Sequence, residues 1–531
     1  MARRRLLTGE ERRRLFDIPH DETAIVGHYT LAAEDLELVG RRYRPANRLG
    51  LATQIALMRH PGFGLQPDVD VPDAVLHYLA AQLFVDVDAF ADYGQRAQTR
   101  NDHADIAARH LGLHPFRRGD IPLALDLAAR AAERTDRGEP IVRALMEGLK
   151  QERFILPSAD TLERAGLAGR ARARKAAAAL IVESLGHAEL ARIDDLIVNN
   201  SDFGMTPLAW LRNFEEAPTT ANINGLLERL RYVRGIGIDP AIGAKIPDFR
   251  FAQFMREGGV APAFLLSDYS LNRRRATLIA AVIDLDARLA DGAIQMFDRL
   301  VGSLFTRARR GRERRYQDSI RSVGELMRLF GATIAALGEA VEHGGNPLEL
   351  IDEAVGWHRL VAAKSQVDAL AELAGEDALV AATGRYATLR RFSPAFLDTF
   401  TFKASGSGSQ LVKAIEVIRD TNARKARSLP EGVPLPFANR QWKRLITEGG
   451  QVDRRRYETA IMATLRDRLR AGDIWVAESR QYRAFDSYLL PSATFDAMRA
   501  RGPLPLAIDT DFESFIAGRR ASLDTAIERV T

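Results

Sequence analysis

Apolar residues along most of the chain recur at three- and four-residue spacing, which is the period of an amphipathic helix. Strict alternation of apolar and polar residues, which is typical of strands, is rare. The pattern therefore predicts a mainly α-helical, multi-domain protein. Near the N-terminus it predicts one helix capped by Thr30, a second capped by Asn47, a third starting at Asp70 and a fourth closing at Gly112.

The middle of the chain carries the longest uninterrupted helical pattern. No proline occurs between Pro262 and Pro347, and the apolar positions follow one face of a helix through this stretch. We expect one or two long helices here, acting as a scaffold or a dimer surface. The positions that define this apolar seam are Leu285, Leu289, Met296, Leu300, Leu304, Tyr316, Ile320, Val323, Met327, Phe330 and Ile334.

Breaks in the pattern divide the chain into four predicted domains. Two helical DNA-binding domains cover 1–156 and 157–262, the long-helix domain covers 263–404, and a connector domain covers 410–531. Between the last two, "SGSGS" has the composition of a flexible linker. Helix-turn-helix-like modules are expected in the N-terminal domain, where two short helices flank a polar turn.

Composition excludes several classes of protein. The 531 residues are 46% hydrophobic and 27% charged, which excludes a wholly disordered chain. The absence of cysteine excludes disulfides, cysteine zinc sites and thiol nucleophiles. The basic start lacks the apolar run of a secretory signal, and no apolar stretch has the length of a membrane span. The sequence predicts a soluble, cytoplasmic protein without a membrane partner.

Arginine clusters are the candidate functional feature. The net charge is only +5, but the basic residues are mostly arginines in groups, and a guanidinium suits phosphate. Two interpretations stay open: contact with DNA, or solvated, ion-paired helix faces. Asn47, Arg48, Gln54, Arg96, Thr99 and Arg100 are the candidate base contacts. The candidate phosphate contacts are Arg41, Arg42, Arg44, Arg170, Arg172, Arg174, Lys175, Arg307, Arg309, Arg310, Arg312, Arg314 and Arg315.

The last six of these arginines lie in "TRARRGRERRY", residues 306–316, and pose a separate question. If the helix continues through them, Ala308 and Gly311 fall on its inward face. Such small residues would let another backbone pass closely while the arginines fan outward. We expect a basic belt round a continuing helix, adding affinity for DNA without sequence preference.

Acidic and histidine groups offer no catalytic site. Asp284, Asp286 and Asp291 do not share one helix face, so a solvated flank is their expected role. His110 and His114 are four residues apart, but Gly112 and the following proline argue against a zinc site on a helix. We predict no catalytic residue and no metal ligand in this chain.

Several long segments, in order along the chain, resemble the N-terminal half of Tn-three family transposases. They include "RYRPANRLGLATQIALMRHPG", "YGQRAQTRNDHADIAARHLGL", "GLLERLRYVRGIGIDP", "LFTRARRGRERRYQDSIRSVGELMRLFG" and "LPFANRQWKRLITEGGQVDRRRYETAIMATLRDRLRAGDIWV". The resemblance implies replicative transposition in bacteria, with terminal inverted repeats read by this half. The family's RNase H-like domain, with two aspartates and a glutamate that bind magnesium, lies in the other half. The chain is therefore expected to be truncated before the catalytic domain and to need no cofactor of its own.

The resemblance implies that the chain binds double-stranded DNA at transposon ends, in the bacterial cytoplasm and at the nucleoid. An alternative is a regulatory fragment that pairs with full-length transposase and inhibits transposition. An independent nuclease is the third possibility. It would require carboxylates with metal-binding spacing, and none has been found.

Overall fold

The computed structural model describes residues 5–65, 70–199, 202, 204–375, 377–500 and 511–528, with the side chains of 316, 318–322, 372–375, 407 and 528 left aside. The backbone forms two compact units, Met1–Arg212 with Ile236–Asp284, and Asn213–Gly235 with Leu285–Thr531. Helices dominate both units, which confirms the mainly α-helical prediction. The division into four domains stays a prediction. Among the described residues, no helix is long and apolar enough to cross a membrane.

The elements up to residue 267 are mostly short helices, with one small parallel pair of strands. In chain order they are α1 (Gly9–Phe16), α2 (Glu22–Tyr29), α3 (Ala33–Gly40), α4 (Pro45–Arg59), α5 (Asp73–Leu83), α6 (Ala97–Leu111), β1 (His114–Pro115), α7 (Ile121–Ala132), α8 (Gly138–Gln151), β2 (Phe154–Ile155), α9 (Ala159–Val182), α10 (His187–Asp195), α11 (Pro207–Arg212), α12 (Thr220–Ile236), α13 (Asp248–Val260) and α14 (Ala263–Ser267), with 3-10 turns at Val87–Asp92, Arg118–Asp120 and Pro240–Lys245.

The elements that follow are one very long helix and a set of shorter ones, with one antiparallel pair of strands. They are α15 (Leu271–His343), α16 (Pro347–Val355), α17 (Trp357–Gly375), α18 (Ala378–Thr383), α19 (Tyr386–Arg390), α20 (Ser393–Thr399), β3 (Phe402–Ala404), α21 (Ser409–Ala423), α22 (Arg440–Ile446), α23 (Arg454–Ala471), β4 (Ile474–Val476), α24 (Ser492–Ala500) and α25 (Phe512–Glu528), with 3-10 turns at Gly406–Gly408 and Phe485–Tyr488.

The first two predicted helix starts were wrong by a few residues. Thr30 ends α2 instead of starting α3, and its hydroxyl donates to the carbonyl of Val26 at 2.6 Å. The start of α3 is set by Asp35, whose carboxylate accepts from the N–H of Ala32 at 2.8 Å. Asn47 lies inside the first turn of α4, because Pro45 occupies the first helical position.

The third and fourth predicted helices are present with one shift. α5 begins at Asp73 after Pro72, three residues beyond the predicted start at Asp70. α6 ends at Gly112, as predicted, and this glycine has the positive φ (+64°) of a left-handed C-terminal cap.

Two hydrophobic clusters lie in the N-terminal part of the first unit, among the residues that the structure describes. The first surrounds α4, in which every residue from 49 to 58 is buried, and includes apolar residues of α2, α3, α5 and α6. The second joins α7, α8 and α9, with Ala128, Ile141 and Leu145 fully buried. α4 is therefore a central structural helix and has little free surface.

α15 is one continuous helix of 73 residues, which confirms the prediction of a long helix. At 1.5 Å per residue it extends about 110 Å. Its seam is buried from Leu285 to Leu304, but Met327 and Ile334 are each 69% exposed. The side chains of Tyr316 and Ile320 lie outside the described residues. The predicted seam is thus a core face in its first part and a surface row in its last part.

The second unit is organised round aromatic side chains of several helices and of β3. The rings of Phe297 and Phe396 stack with centroids 4.2 Å apart, and Phe400 and Phe402 extend the cluster. β3 pairs with β4 in antiparallel register, with Phe402 opposite Val476. This core fixes the part of α15 that precedes the arginine belt.

The prediction that "SGSGS" is a flexible linker is wrong. Gly406–Gly408 forms a 3-10 turn that leads directly from β3 into α21. A Cβ placed on Gly408 would lie 2.9 Å from both the Ala404 Cβ and the Asp473 carbonyl oxygen. The glycine is therefore required by close packing, not by flexibility.

Candidate nucleic-acid interface

The middle of α4 is not available to a DNA groove. Gln54 is 1% exposed, and its Oε1 accepts from the N–H of Leu65 at 3.0 Å. The hydroxyl of Tyr93 forms a further hydrogen bond with Gln54. Gln54 is therefore a core residue, and the prediction that it contacts a DNA base is wrong. The prediction of a helix-turn-helix formed by α3 and α4 is wrong for the same reason, because a helix that reads a DNA groove needs an exposed face.

The turn between α3 and α4 is the part of this region that faces solvent. Arg44 is exposed, and Arg48 is half-buried with its Nε donating to the carbonyl of Arg42 at 2.7 Å. That bond fixes the turn. Arg41 forms an ion pair with Glu37 at 2.7 Å, one helical turn away. Tyr43, between two arginines, is 96% exposed.

The start of α6 carries the second group of predicted contacts. Arg96 is exposed at the N-cap position, and Thr99 and Arg100 are half-buried in the first turn. The methylene groups of Arg100 pack over Gly94, where a Cβ would lie 2.5 Å from the Arg100 Cγ. The arginine side chain is thereby held along the protein surface.

Tyr93 packs between α4 and α6 and so connects the arginines of the α3–α4 turn with the predicted contacts at the start of α6. Its ring lies on Gly50 of α4, where a Cβ would be 2.1 Å from the ring, so only glycine fits there. The same ring stacks on His103 of α6 with centroids 5.6 Å apart. Burial, and then the charge of Arg42, lowers the pKa of His103. We call the surface formed by Arg42, Tyr43, Arg44, Asn47, Arg48, Arg96, Thr99 and Arg100 the N-terminal edge.

The basic residues of α9 are mostly engaged within the protein. Arg172 pairs with Asp126, and Arg174 pairs with Asp136. Arg170 reaches only the backbone carbonyl of Asp136, at 3.3 Å. Lys175 is exposed. The ion-paired interpretation therefore holds for Arg172 and Arg174, and Arg170 and Lys175 stay candidates for an anionic ligand.

Asp136 is the centre of this network. It also accepts from Arg250, a residue of α13 that is 2% exposed. Burial would raise the pKa of Asp136, but hydrogen bonds from Arg174 and Arg250 outweigh it and hold the pKa below its ordinary value. The network ties α9 and α13 to the loop before α8.

The arginine belt, residues 307–315, surrounds the continuous helix α15. At 100° per residue, Arg307, Arg310 and Arg314 fall within about 60° of one another round the axis. All three are exposed, and they span about 10 Å along the helix. Arg309 approaches Glu313 at 3.7 Å. Arg312 is half-buried, and Arg315 is exposed.

Of the two small residues expected to pack beneath the belt, Ala308 is buried and Gly311 is not. Ala308 is buried, as expected for an inward position. Gly311 is exposed, and a Cβ placed there would meet nothing within 4 Å among the described residues. Within the described part of the chain no backbone passes closely at Gly311, so the structure does not show the close approach that was expected there.

The acidic residues of α15 have structural roles. Asp286 accepts from Arg234 at 3.1 Å, and burial raises its pKa despite this partner. Asp291 is buried and accepts from the N–H of Arg480 at 3.1 Å, and the hydroxyl of Ser479 donates to the same carboxylate. The expectation of a solvated flank was therefore wrong for both. Among the described residues, no three histidine or acidic side chains are grouped closely enough to bind a metal ion.

Known transposases match this chain over its whole length. The transposase for transposon Tn501 of Pseudomonas aeruginosa is 32% identical over 530 residues, all of this chain and 54% of the relative. The transposase for Tn21 of Escherichia coli is 31% identical over the same span, with 54% of it covered. The transposase for Tn1546 of Enterococcus faecium is 28% identical over 529 residues, 99% of this chain and 53% of the relative. The chain is therefore similar to these transposases over its whole length.

The chain spans about half the length of the curated relatives it matches. A family model described as "Domain of unknown function (DUF4158)" matches residues 6–168. That range contains the whole N-terminal edge and ends just before Arg170, the first of the candidate basic residues on α9. The arginine belt lies outside that range, in a part of the chain that the matches to the transposases cover.

Tyr43 is the residue of the N-terminal edge that was not predicted from the sequence as a DNA contact. A signal was present in "GRRYRP", where an aromatic residue stands between arginines and before a proline. An aromatic ring there has no apolar neighbour in the sequence to suggest burial. Exposed aromatic rings flanked by cationic groups are typical of surfaces that contact nucleic acid.

Proposed function

We propose that the chain binds the terminal inverted repeats of a transposon, as the DNA-recognising and non-catalytic portion of a transposase. The observation that carries the proposal is the full-length match to transposases, in a chain that carries an exposed arginine belt. Clustered exposed arginines supply the counterion-releasing contacts on which protein–DNA affinity depends.

The N-terminal edge is the proposed base-reading surface. Asn47 and Arg48 lie in the first turn of α4, and Thr99 and Arg100 lie in the first turn of α6. N-terminal residues of a helix are those that meet base edges when a helix end enters the major groove. Arginine recognises guanine and asparagine recognises adenine through paired hydrogen bonds. Tyr43 is placed to pack on sugar or base beside them.

The belt is the proposed phosphate-binding surface. Arg307, Arg310 and Arg314 form an exposed row on one face of α15, and no carboxylate pairs with this row in the described part of the chain. A row of guanidinium groups fits the regularly spaced phosphates of a duplex without reading its sequence. The belt should therefore strengthen binding to any DNA.

Fluorescence anisotropy with labelled duplexes tests the proposal. The purified chain is titrated with the inverted repeat of its own element and with a scrambled duplex of equal length. We expect binding to the inverted repeat to be tighter by about 10³-fold or more. Equal affinity for the two duplexes would refute sequence recognition, and no binding to either would refute the function as a whole.

A matched pair of variants locates the specificity. Arg44→Ala with Tyr43→Ala removes two exposed side chains of the edge and should reduce the preference for the inverted repeat about tenfold or more. Arg41→Ala is the control, because Arg41 is already paired with Glu37. If both variants reduce the preference equally, the assignment of the edge is wrong.

A regulatory role through pairing is the second candidate. Met327, Phe330, Ile334, Leu337 and Val341 follow the alternating three- and four-residue spacing of a coiled-coil seam. Met327 and Ile334 are 69% exposed and Val341 is 84% exposed. The opposite side of the same helix is already covered, since Ala336 packs with residues of α16. A second copy of this helix, or that of a full-length transposase, is the proposed occupant of the row.

Sedimentation of the purified chain tests pairing. Ile334→Glu should dissociate the complex, and Ala335→Glu is the control, because Ala335 is exposed and lies off the row. A monomeric wild-type chain at micromolar concentration would refute pairing. Co-expression with a full-length homologue should lower its transposition frequency, and Ile334→Glu should abolish that inhibition.

A further inference from the structure

The first unit contains a groove beside α9. It has a volume of about 550 Å³ and is lined by α9, α13 and the first turn of α15. This volume is within the roughly 300–1,000 Å³ typical of pockets that enclose a nucleotide-sized ligand. Its apolar lining comes from Leu167, Ala171, Ala178, Phe254 and Leu271.

The rim of the groove carries more positive than negative charge. Arg170, Arg174, Lys175 and Arg273 line it, and Glu257 is the acid among the lining residues. Arg273 pairs with Glu257 at 3.0 Å. Arg174 is neutralised by Asp136, which Arg250 shares. Two cations, Arg170 and Lys175, therefore have no carboxylate partner in the described part of the chain.

The environment of Arg170 shows the excess charge directly. Among the described residues, its guanidinium donates to the backbone carbonyl of Asp136, at 3.3 Å. Burial, and then repulsion from Arg174, lowers its pKa; the Asp136 carboxylate partly offsets this effect, and Arg250 adds to the repulsion. A half-buried cation with two cationic neighbours is stabilised when a further anion enters beside it.

The start of α15 lines the same groove. Leu271 is the first residue of the helix, and Asn272 in its first turn is also a lining residue. The first N–H groups of a helix have no partner within the helix, and they favour negative charge. Apolar walls, a helix N-terminus and two cations without a carboxylate partner in the described part of the chain together suit a group with an anionic head and an apolar body.

We infer that this groove binds one sugar–phosphate unit of the DNA backbone, with the phosphate between Arg170, Lys175 and the start of α15, and the deoxyribose on the apolar wall. The inference rests on the proposed DNA-binding function. It differs from the earlier expectation for α9, because Arg172 is excluded and residues of α13 and α15 are added. An acidic peptide would be a separate ligand class, and the experiment below distinguishes it.

Ala171→Glu is the decisive variant. Ala171 is exposed and lines the groove, so a glutamate there brings a carboxylate to the phosphate position without disturbing a packed core. Ala176→Glu is the matched control, because Ala176 is exposed on the same helix and lies about 140° away round its axis. Both variants change the net charge equally. Lys175→Ala is a second, milder variant.

Anisotropy titrations with the inverted repeat and with a scrambled duplex give the result. Ala171→Glu should weaken binding to both duplexes by about tenfold or more, Lys175→Ala by about three- to tenfold, and Ala176→Glu by less than about twofold. Lys175→Ala should also lower the salt slope by about 0.9. Circular dichroism confirms that each variant is folded.

Three outcomes would overturn the inference. Unchanged DNA affinity in Ala171→Glu, with wild-type binding intact, removes the DNA backbone as the ligand and leaves an acidic peptide as the class that fits. Equal losses in Ala171→Glu and Ala176→Glu show an effect of net charge alone. Loss for the inverted repeat only shows base reading. If the wild-type chain binds neither duplex, the proposed function fails, and absence of a thermal shift with inorganic pyrophosphate then refutes the phosphate site independently.

Discussion

Replacing Arg307, Arg310 and Arg314 together by alanine tests the most specific claim about the belt. The three side chains form one exposed row about 10 Å long on α15. Alanine is the best helix former, so the triple variant should keep the helix intact. The expected result is weaker binding to every DNA sequence, with an unchanged ratio between the inverted repeat and scrambled duplexes.

The magnitude follows from counterion release. Each engaged phosphate contributes about 0.9 to the slope of log affinity against log salt, so losing three lowers it by about 2.7. Between 50 and 200 mM salt, the wild-type chain should therefore lose about 40 times more affinity than the triple variant. At low salt, the difference in affinity between the two proteins should be at its largest.

The control variant removes the same number of positive charges from other faces of α15. Arg309, Arg312 and Arg315 replaced together by alanine also remove three positive charges, but Arg309 lies near Glu313 and Arg312 is half-buried. We expect the slope to fall by less than about 1 in this control. Equal slopes for the wild-type chain and the first triple variant would refute the row as a phosphate contact. Equal losses in both triple variants would show that net charge, and not the row, determines affinity.

Three further predictions concern stability and are measured by thermal and urea unfolding. Gln54→Ala leaves the N–H of Leu65 without its partner and should cost about 1–3 kcal/mol, without changing the DNA preference of the folded protein. Asp136→Ala leaves the buried Arg250 without its carboxylate and should cost about 3 kcal/mol or more. Burial, and then repulsion from His28 and Lys150, lowers the pKa of His60 to about 4. The unfolded chain then binds more protons than the folded one between about pH 6.5 and 4, so stability should fall by about 1–3 kcal/mol as pH drops through that window. His60→Phe should remove this dependence.

The elements that could be predicted from the sequence are those determined by interactions between residues close together in the chain. α15 could be predicted because its apolar spacing is regular and proline is absent, and the end of α6 because Gly112 favours a left-handed cap. The first two helix starts were displaced because Asp35 and Pro45 are stronger local signals than Thr30 and Asn47. Local rules identify helices well and their first residues less well.

The burial of α4 could not be predicted, because it depends on residues distant in the sequence. Gln54 appears polar and available in the sequence, but Leu65 and Tyr93 satisfy it in the core. The same holds for Arg174, whose partner Asp136 is 38 residues away. A sequence shows where charge is dense and leaves open which charges are neutralised by folding.

That distinction determines where DNA affinity should reside. Residues 307–315 contain six arginines and one glutamate, a net +5, and the whole chain also has a net charge of +5. The remainder of the chain is therefore neutral in total, and much of its arginine is held in ion pairs such as Arg174 with Asp136. Arg307, Arg310 and Arg314 form one exposed row in the belt, so the sequence-independent part of binding should depend strongly on it. The N-terminal edge also carries five arginines, but it adds the exposed ring of Tyr43 between two of them, which suits it to discrimination between sequences.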